Sequence, residues 1–160
     1  MNHQSFFSRR RFVTGVLSVI AVVVFNKSIL AAPMPKIVAY RNSGCSCCEK
    51  WAEKLRAAGF DVEMNDDDDL SSRREKAGVP DDLAGCHTAF MGDYIIEGHA
   101  PLADILRVLN EKPSILGIAV PDMPVGSSGM EMGDMRDAYD VVAFAIDGTQ
   151  SIFAKYVANP

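Results

Sequence analysis

From residue 36 onward, the apolar positions of the chain follow strand spacing and helix spacing in turn. A β-branched and aromatic run at residues 36–41 predicts a buried strand. Apolar residues then recur at helical spacing over residues 47–58, and residues 60–64 alternate as in a half-buried strand. Residues 71–77 predict a short charged helix, so the first half of the pattern has the order β-α-β-α.

The second half of the pattern contains two hairpins separated by a helix. Residues 89–91 and 94–99 surround a Gly-Asp turn and predict the first hairpin. Pro101 opens a helix at its favoured first position, with apolar residues on one face. Residues 139–145 and 151–156, joined across an Asp-Gly turn, predict a closing hairpin.

Residues 113–135 differ from these periodic segments. Several prolines and glycines interrupt them, which predicts a long surface loop. Methionines in a loop rich in Gly and Ser have no core to fill, so they are candidates for a chemical role as thioether ligands. The three candidates are Met130, Met132 and Met135.

The cysteines are the most concentrated chemistry in the chain. Cys45, Cys47 and Cys48 lie between the first predicted strand and the first predicted helix, and Cys86 follows much later beside His87. A helix N-terminus lowers the pKa of a thiol and favours the thiolate. Thiolate is both a nucleophile and a metal ligand, so the cluster suits disulfide exchange or the binding of a soft metal.

The element order supports a fold class that brings the fourth cysteine to the other three. The order β-α-β-α-β-β-α, with thiols after the first strand, resembles that of a thioredoxin-like domain. We therefore predict a three-layer α/β domain with a mixed sheet, extended by the C-terminal hairpin and the long methionine-containing loop. In a thioredoxin-like fold the loop before the third strand faces the thiol motif, which predicts Cys86 next to Cys45–Cys48.

Residues 1–32 form a separate segment of export-signal type. Ser8-Arg9-Arg10-Arg11-Phe12-Val13 is a basic region that precedes an apolar run too short to span a membrane. The Ser-Arg-Arg-x-Phe-Val pattern is similar to a twin-arginine signal, although an ordinary secretory signal and an uncleaved anchor stay open. We expect cleavage after Ala31, a periplasmic domain over residues 33–160, and membrane contact only through the signal.

Charge narrows the class of partner. The full chain has a formal net charge of −5, and removal of residues 1–32 leaves 12 basic and 21 acidic side chains, a charge of −9. Nucleic-acid binding favours the opposite sign, so we expect no nucleic-acid partner. The four carboxylates at residues 66–69 predict a solvated loop and helix cap, since consecutive side chains fan outward instead of converging on a cation.

The residues leave three kinds of chemistry open at the cysteines. Cys45 and Cys48 have the Cys-x-x-Cys spacing of thiol-disulfide oxidoreductases, but the additional Cys47 invites misrouted disulfides. Four thiols combined with methionines favour copper(I), which prefers thiolate and thioether ligands. Zinc accepts four cysteines but gains nothing from methionine. His87 is a candidate ligand, and His99 is as well explained by a structural role.

At these residues the chain resembles a family of exported, thioredoxin-like metal-binding proteins that includes the CopG-type copper-resistance proteins. The resemblance rests on Tyr40 through Trp51, Gly78-Val79-Pro80, Cys86-His87-Thr88-Ala89, residues 94–101, and residues 117–121 through Gly129-Met130-Glu131. It implies copper(I) bound in a thiolate-rich site that can be multinuclear and redox-active. It also implies that Cys45, Cys47, Cys48 and Cys86 are ligands.

The prediction from the sequence is a periplasmic copper(I)-binding protein of copper tolerance or homeostasis. Its metal site comprises Cys45, Cys47, Cys48, Cys86, His87, Met130, Met132 and Met135, the methionines serving as a flexible capture or hand-over arm. Its partners are copper ions and other periplasmic copper-handling proteins. The alternative is a thiol-disulfide oxidoreductase that uses Cys45 and Cys48, so the question of enzymatic activity stays open.

Overall fold

The computed structural model describes Met1 and residues 34–159. The chain divides into two units between Ala32 and Pro33, and every described helix and strand belongs to the second unit. The predicted export signal lies outside the described residues. Within the described part of the chain, no helix is long and apolar enough to cross a membrane.

In the described part of the chain, seven strands and three α-helices follow one another in an α/β order. The elements are β1 (Ile37–Arg41), α1 (Ser46–Ala57), β2 (Val62–Asp66), α2 (Leu70–Ala77), a 3-10 turn (Asp81–Leu83), β3 (His87–Met91), β4 (Tyr94–Gly98), α3 (Leu102–Glu111), β5 (Gly117–Val120), β6 (Tyr139–Phe144) and β7 (Gln150–Tyr156).

The strands form a single mixed sheet in the order β2-β1-β3-β4-β5-β6-β7. Strand β1 pairs in parallel with β2, and β4 pairs in parallel with β5, while the other neighbours are antiparallel. The hairpin β6–β7 extends the sheet, as predicted. The predicted α/β class with a mixed sheet is therefore confirmed.

Alternating side chains divide the core between the two faces of the sheet. On one face, Trp51 and Leu55 of α1 and Ile105 of α3 pack with inward residues of the strands. On the other face, a smaller cluster joins Leu83 of the 3-10 turn to Phe144 and neighbouring apolar residues. The sheet is thus covered from both sides, which gives the predicted three layers.

The ends of helix α2 follow from local chemistry. Asp69 caps the helix, its side chain accepting a hydrogen bond from the backbone N–H of Ser72 at 3.2 Å, which confirms the predicted cap within the acidic run. Gly78 ends the same helix with a φ of +76°, a left-handed conformation that glycine adopts without a steric penalty. Both signals are present in the local sequence.

The prediction for residues 113–135 was wrong in one respect. Strand β5 lies inside this segment, buried along its whole length, and joins β4 to β6. Its four residues are too few to show a period, and prolines lie on both sides of it. The surface loop is therefore shorter and begins after Val120.

Candidate metal centre

Three of the four cysteines occupy the turn between β1 and the first turn of α1. Gly44 has a φ of +80°, and the backbone N–H of Cys45 donates to the Asn42 carbonyl at 3.2 Å, which closes the turn. Cys45 is the N-cap of α1, and Cys47 and Cys48 belong to its first turn. The cysteine motif therefore forms the N-terminal end of α1.

All four cysteine sulfurs converge, and two of them are bonded. Cys45 and Cys48 form a disulfide, while Cys47 and Cys86 are free thiols. The Sγ atom of Cys47 lies 3.4 Å from that of Cys45, and the Sγ of Cys86 lies 3.5 Å from that of Cys48. The two free thiols are 4.0 Å apart, so each of them flanks one end of the disulfide.

Cys86 reaches the motif because β3 lies beside β1 in the sheet. The antiparallel register pairs Arg41 with His87, which sets the residue before β3 next to the loop after β1. The backbone carbonyl oxygen of Cys86 also lies 3.6 Å from the Sγ of Cys48. The predicted neighbourhood of Cys86 and Cys45–Cys48 is therefore confirmed.

His99 belongs to the cluster, although its sequence context does not favour a ligand role over a structural one. Its Nε2 lies 2.7 Å from the Sγ of Cys86, and its Nδ1 lies 2.7 Å from the carbonyl oxygen of Ser128. A carbonyl accepts only, so Nδ1 carries the proton and the Nε2 lone pair faces the cysteine. Burial lowers the pKa of His99, which favours the neutral imidazole that binds metal.

A signal for His99 was present in the hairpin. Strands β3 and β4 pair with Thr88 opposite Glu97, and the same register extended by two residues sets Cys86 opposite His99. The Gly-Asp turn fixes that register, because turn length and type determine hairpin pairing. Sequence reasoning identified the hairpin without extending its pairing beyond the strand ends.

His87 is buried beside the same sulfur. Its Nδ1 lies 3.7 Å from the Sγ of Cys86, and its ring lies against Trp51 with centroids 4.3 Å apart. Its Nε2 is buried and has no hydrogen-bond partner among the described residues. Burial and the neighbouring His99 hold the pKa of His87 well below its usual range, so this imidazole too is neutral.

The surroundings of Cys86 disfavour its thiolate form when no cation is bound. Burial, followed by the proximity of Cys47, raises the pKa of the Cys86 thiol to about 12. A bound cation reverses that balance, because a coordinating thiol is deprotonated outright. Cys86 is therefore suited to deprotonation by a metal ion and remains a protonated thiol in its absence.

The methionine-containing loop borders the site. Gly129 packs on the start of α1 so closely that a Cβ atom there would lie 2.7 Å from the Cys47 carbonyl oxygen. Glu131 forms an ion pair with Lys54 of α1. The side chains at positions 132 and 135 are 57% and 54% exposed, so Met132 and Met135 face solvent, whereas Met130 is half-buried.

Backbone hydrogen bonds join several residues of this loop to one another. Hydrogen bonds link Gly126 to the Met130 carbonyl, Met130 to the Ser127 carbonyl, and Asp137 to the Val125 carbonyl. The Ser128 carbonyl accepts a further hydrogen bond from His99. The loop thus connects the solvent-facing methionines to His99 through a short, hydrogen-bonded turn.

The donor set fits a soft metal ion. Two overlapping groups have ligand atoms within 4.8 Å of one another: the four cysteines, and Cys48 and Cys86 with His87 and His99. Thiolate and neutral imidazole are donors that soft and borderline metals prefer. The disulfide withholds two sulfurs, so the full set becomes available only after reduction.

Comparison with known proteins identifies relatives of this chain. Residues 83–130 match the family model described as "Protein of unknown function, DUF411". A solved structure described as copper resistance protein CopG, form 1, is 43% identical, covers 78% of this chain and 98% of its own, and has a TM-score of 0.74. Form 2 is 42% identical, with 78% and 99% coverage and a TM-score of 0.73. The curated proteins gave no match.

Proposed function

Since the chain belongs to the CopG-type copper-resistance family, we propose that it is a periplasmic copper(I)-binding protein of copper tolerance. The observation that carries the proposal is the convergence of four cysteine ligand atoms within 4.8 Å of one another. Relatives described as copper resistance proteins support the choice of metal. The ligands are Cys45, Cys47, Cys48 and Cys86, supplemented by the Nε2 of His99.

Copper(I) suits this site better than zinc does. Copper(I) is soft and monovalent, and thiolate and thioether ligands select it. Four adjacent thiolates can bridge ions, so the site can hold more than one copper(I) while the ions offset the negative charge of the thiolates. The exposed Met132 and Met135 offer thioethers in the loop that packs on α1, and zinc would gain nothing from them. Met130 and His87 complete the proposed set.

Copper loading depends on the redox state of the site. The Cys45–Cys48 bond must accept two electrons and two protons from a thiol reductant, which yields two thiols. Binding copper(I) then releases protons from the thiols. In the oxidised protein only Cys47 and Cys86 remain as free thiols, so we expect it to bind less copper(I) than the reduced protein does.

Localisation in the periplasm rests on residues 1–32. The twin-arginine-like pattern and the apolar run that follows it support export of a domain that is already folded. Four cysteines in an oxidising compartment form disulfides unless a metal or a reductant protects them. Other periplasmic copper-handling proteins are the partners that this placement implies.

The test compares two cysteine variants. Copper(I) affinity and stoichiometry are measured for reduced, anaerobic protein against a competing chromogenic copper(I) chelator. Cys47→Ser should lose as much affinity or stoichiometry as Cys45→Ser, because a hydroxyl is a hard, protonated donor. Ser46→Ala, which alters the exposed residue between them, is the control and should bind copper like the parent.

A second candidate function is thiol-disulfide exchange, and the disulfide between Cys45 and Cys48 at a helix N-terminus favours it. In that reaction Cys45 attacks and Cys48 resolves, so Cys47 is dispensable. Strong disulfide reductase activity of Cys47→Ser, with copper binding unaffected, would reject the copper proposal and select this one.

A further inference from the structure

Glu97, at the end of β4, is a buried carboxylate beside the metal site. Its side chain is fully shielded from solvent and accepts three hydrogen bonds. Its Oε1 accepts from the backbone N–H of Gly85 at 2.7 Å and from the Nε of Arg74 at 2.7 Å, and its Oε2 accepts from the hydroxyl of Thr88 at 2.6 Å. Two of these donors, Gly85 and Thr88, flank Cys86 in the chain.

Arg74 of α2 also binds the loop that contains Gly85 and Cys86. While its Nε donates to Glu97, its terminal nitrogen donates to the backbone carbonyl of Gly85. The N–H and the C=O of Gly85 are thus both fixed by a single ion pair. The residue that follows is Cys86, so this pair determines where the Cys86 backbone begins.

The backbone of the loop also packs closely on the end of β4, where Gly85 lies against Gly98. A Cβ atom at Gly85 would lie 2.6 Å from the Cα of Gly98, and Gly98 has a φ of +67°. Only a residue without a side chain allows such an approach. Consequently the loop rests on the strand end that carries Glu97 on one side and His99 on the other.

Stability alone does not account for a buried ion pair at this position. Taking a guanidinium and a carboxylate out of water costs more than their attraction commonly returns, and well-packed apolar residues often replace such pairs without loss. Metal sites, in contrast, depend on outer hydrogen bonds that orient the ligands. Both members of the pair bind Gly85. The next residue is Cys86, whose sulfur lies 3.5 Å from that of Cys48.

We propose that Glu97, with Arg74, is a positioning pair that fixes the Gly85–Cys86 loop and so directs the Cys86 sulfur toward Cys48 and His99. Its effect on copper(I) rests on the proposed function. The positional claim itself is tested without metal.

The metal-free test uses the reactivity of Cys86. In a chain with Cys45, Cys47 and Cys48 replaced by Ser, the remaining Cys86 thiol is alkylated with iodoacetamide, with and without Glu97→Gln. Glu97→Gln should speed alkylation several-fold because the released loop exposes the sulfur. Asp104→Asn is the matched control: Asp104 is a buried carboxylate that accepts from Tyr156 and not from this loop, so its rate should equal that of the parent.

The copper test is a double-mutant cycle on reduced full-length protein. Glu97→Gln should lower copper(I) affinity about tenfold or more, as is typical when a group that orients a metal ligand from outside the site is removed. In a Cys86→Ser background the same change should lower affinity less than about twofold, because coupled residues are non-additive. The ultraviolet thiolate-to-copper(I) absorbance per bound ion should fall in Glu97→Gln toward that of Cys86→Ser.

The outcomes separate the two proposals. Equal losses from Glu97→Gln in both backgrounds, or unchanged alkylation of Cys86, overturn the positioning role. Equal copper binding by the parent and Cys86→Ser overturns Cys86 as a ligand, whereas the alkylation result still decides the positioning role. If Glu97→Gln does not fold, Gly85→Ala enters the same experiments, since its Cβ displaces the loop from Gly98 without changing any charge.

Discussion

Replacement of Gly129 by Ala tests whether the methionine-containing loop packs on the candidate metal site. Gly129 has a φ of +91°, and the added Cβ would lie 2.7 Å from the Cys47 carbonyl oxygen and 2.9 Å from the Trp51 backbone nitrogen. Both atoms belong to the backbone of α1, which cannot yield as a flexible side chain could. The loop must therefore move.

Two contributions set the size of the effect. A non-glycine residue in a left-handed conformation costs about 1–2 kcal/mol, and forcing extra volume into a packed contact costs about 1–3 kcal/mol. Gly129→Ala should thus lower the free energy of unfolding by roughly 2–5 kcal/mol. Gly133→Ala is the matched control, because Gly133 also has a positive φ, +62°, but has no atom within 4 Å of its Cβ position.

The assay is urea unfolding of reduced, metal-free protein, followed by copper(I) titration of the folded variants. Gly133→Ala should show only the conformational cost, and its copper(I) affinity should match that of the parent. Gly129→Ala should also weaken copper binding, because displacement of the loop withdraws the Ser128 carbonyl that holds His99. Equal destabilisation by the two substitutions would refute the packing of this loop on α1.

Two further predictions concern pH and export. Burial holds the pKa values of His87 and His99 below their values in the unfolded chain. Below a pH of about 6.5 the unfolded protein therefore binds more protons than the folded protein does. The free energy of unfolding of metal-free protein should then drop by up to about 1.4 kcal/mol per pH unit for each histidine. Urea unfolding between pH 7.5 and 5.5 measures how the free energy of unfolding depends on pH. His87→Phe should make that dependence less steep, and a free energy that does not change with pH in the parent would contradict the prediction. For export, replacing Arg9 and Arg10 together by Lys should leave the precursor in the cytoplasm; cell fractionation checks it, and unchanged export would indicate the ordinary secretory pathway.

Local sequence was sufficient for most of the elements and for the core of the candidate site. Hydrophobic periodicity identified the helices and hairpins, since packing one face of an element imposes its period on the sequence. Cys45, Cys47 and Cys48 needed no fold to bring them together, because they are nearly adjacent in the chain. The fold class then predicted that Cys86 would join them.

Tertiary structure decided the features that depend on pairing between distant segments. Strand β5 has four residues and no readable period, so only its partners β4 and β6 define it. His99 became a member of the site through the hairpin register that sets it opposite Cys86.

The sequence also did not predict the contacts that position the Cys86 loop or the path of the methionine-containing loop. Arg74 and Glu97 are 23 residues apart and meet across α2 and β4, while Gly129 reaches α1 only because the loop after β5 turns back over the site. A linear pattern reports which face of each element is buried. It does not report which side chains meet there, because those contacts depend on how strands and loops far apart in the chain are brought together.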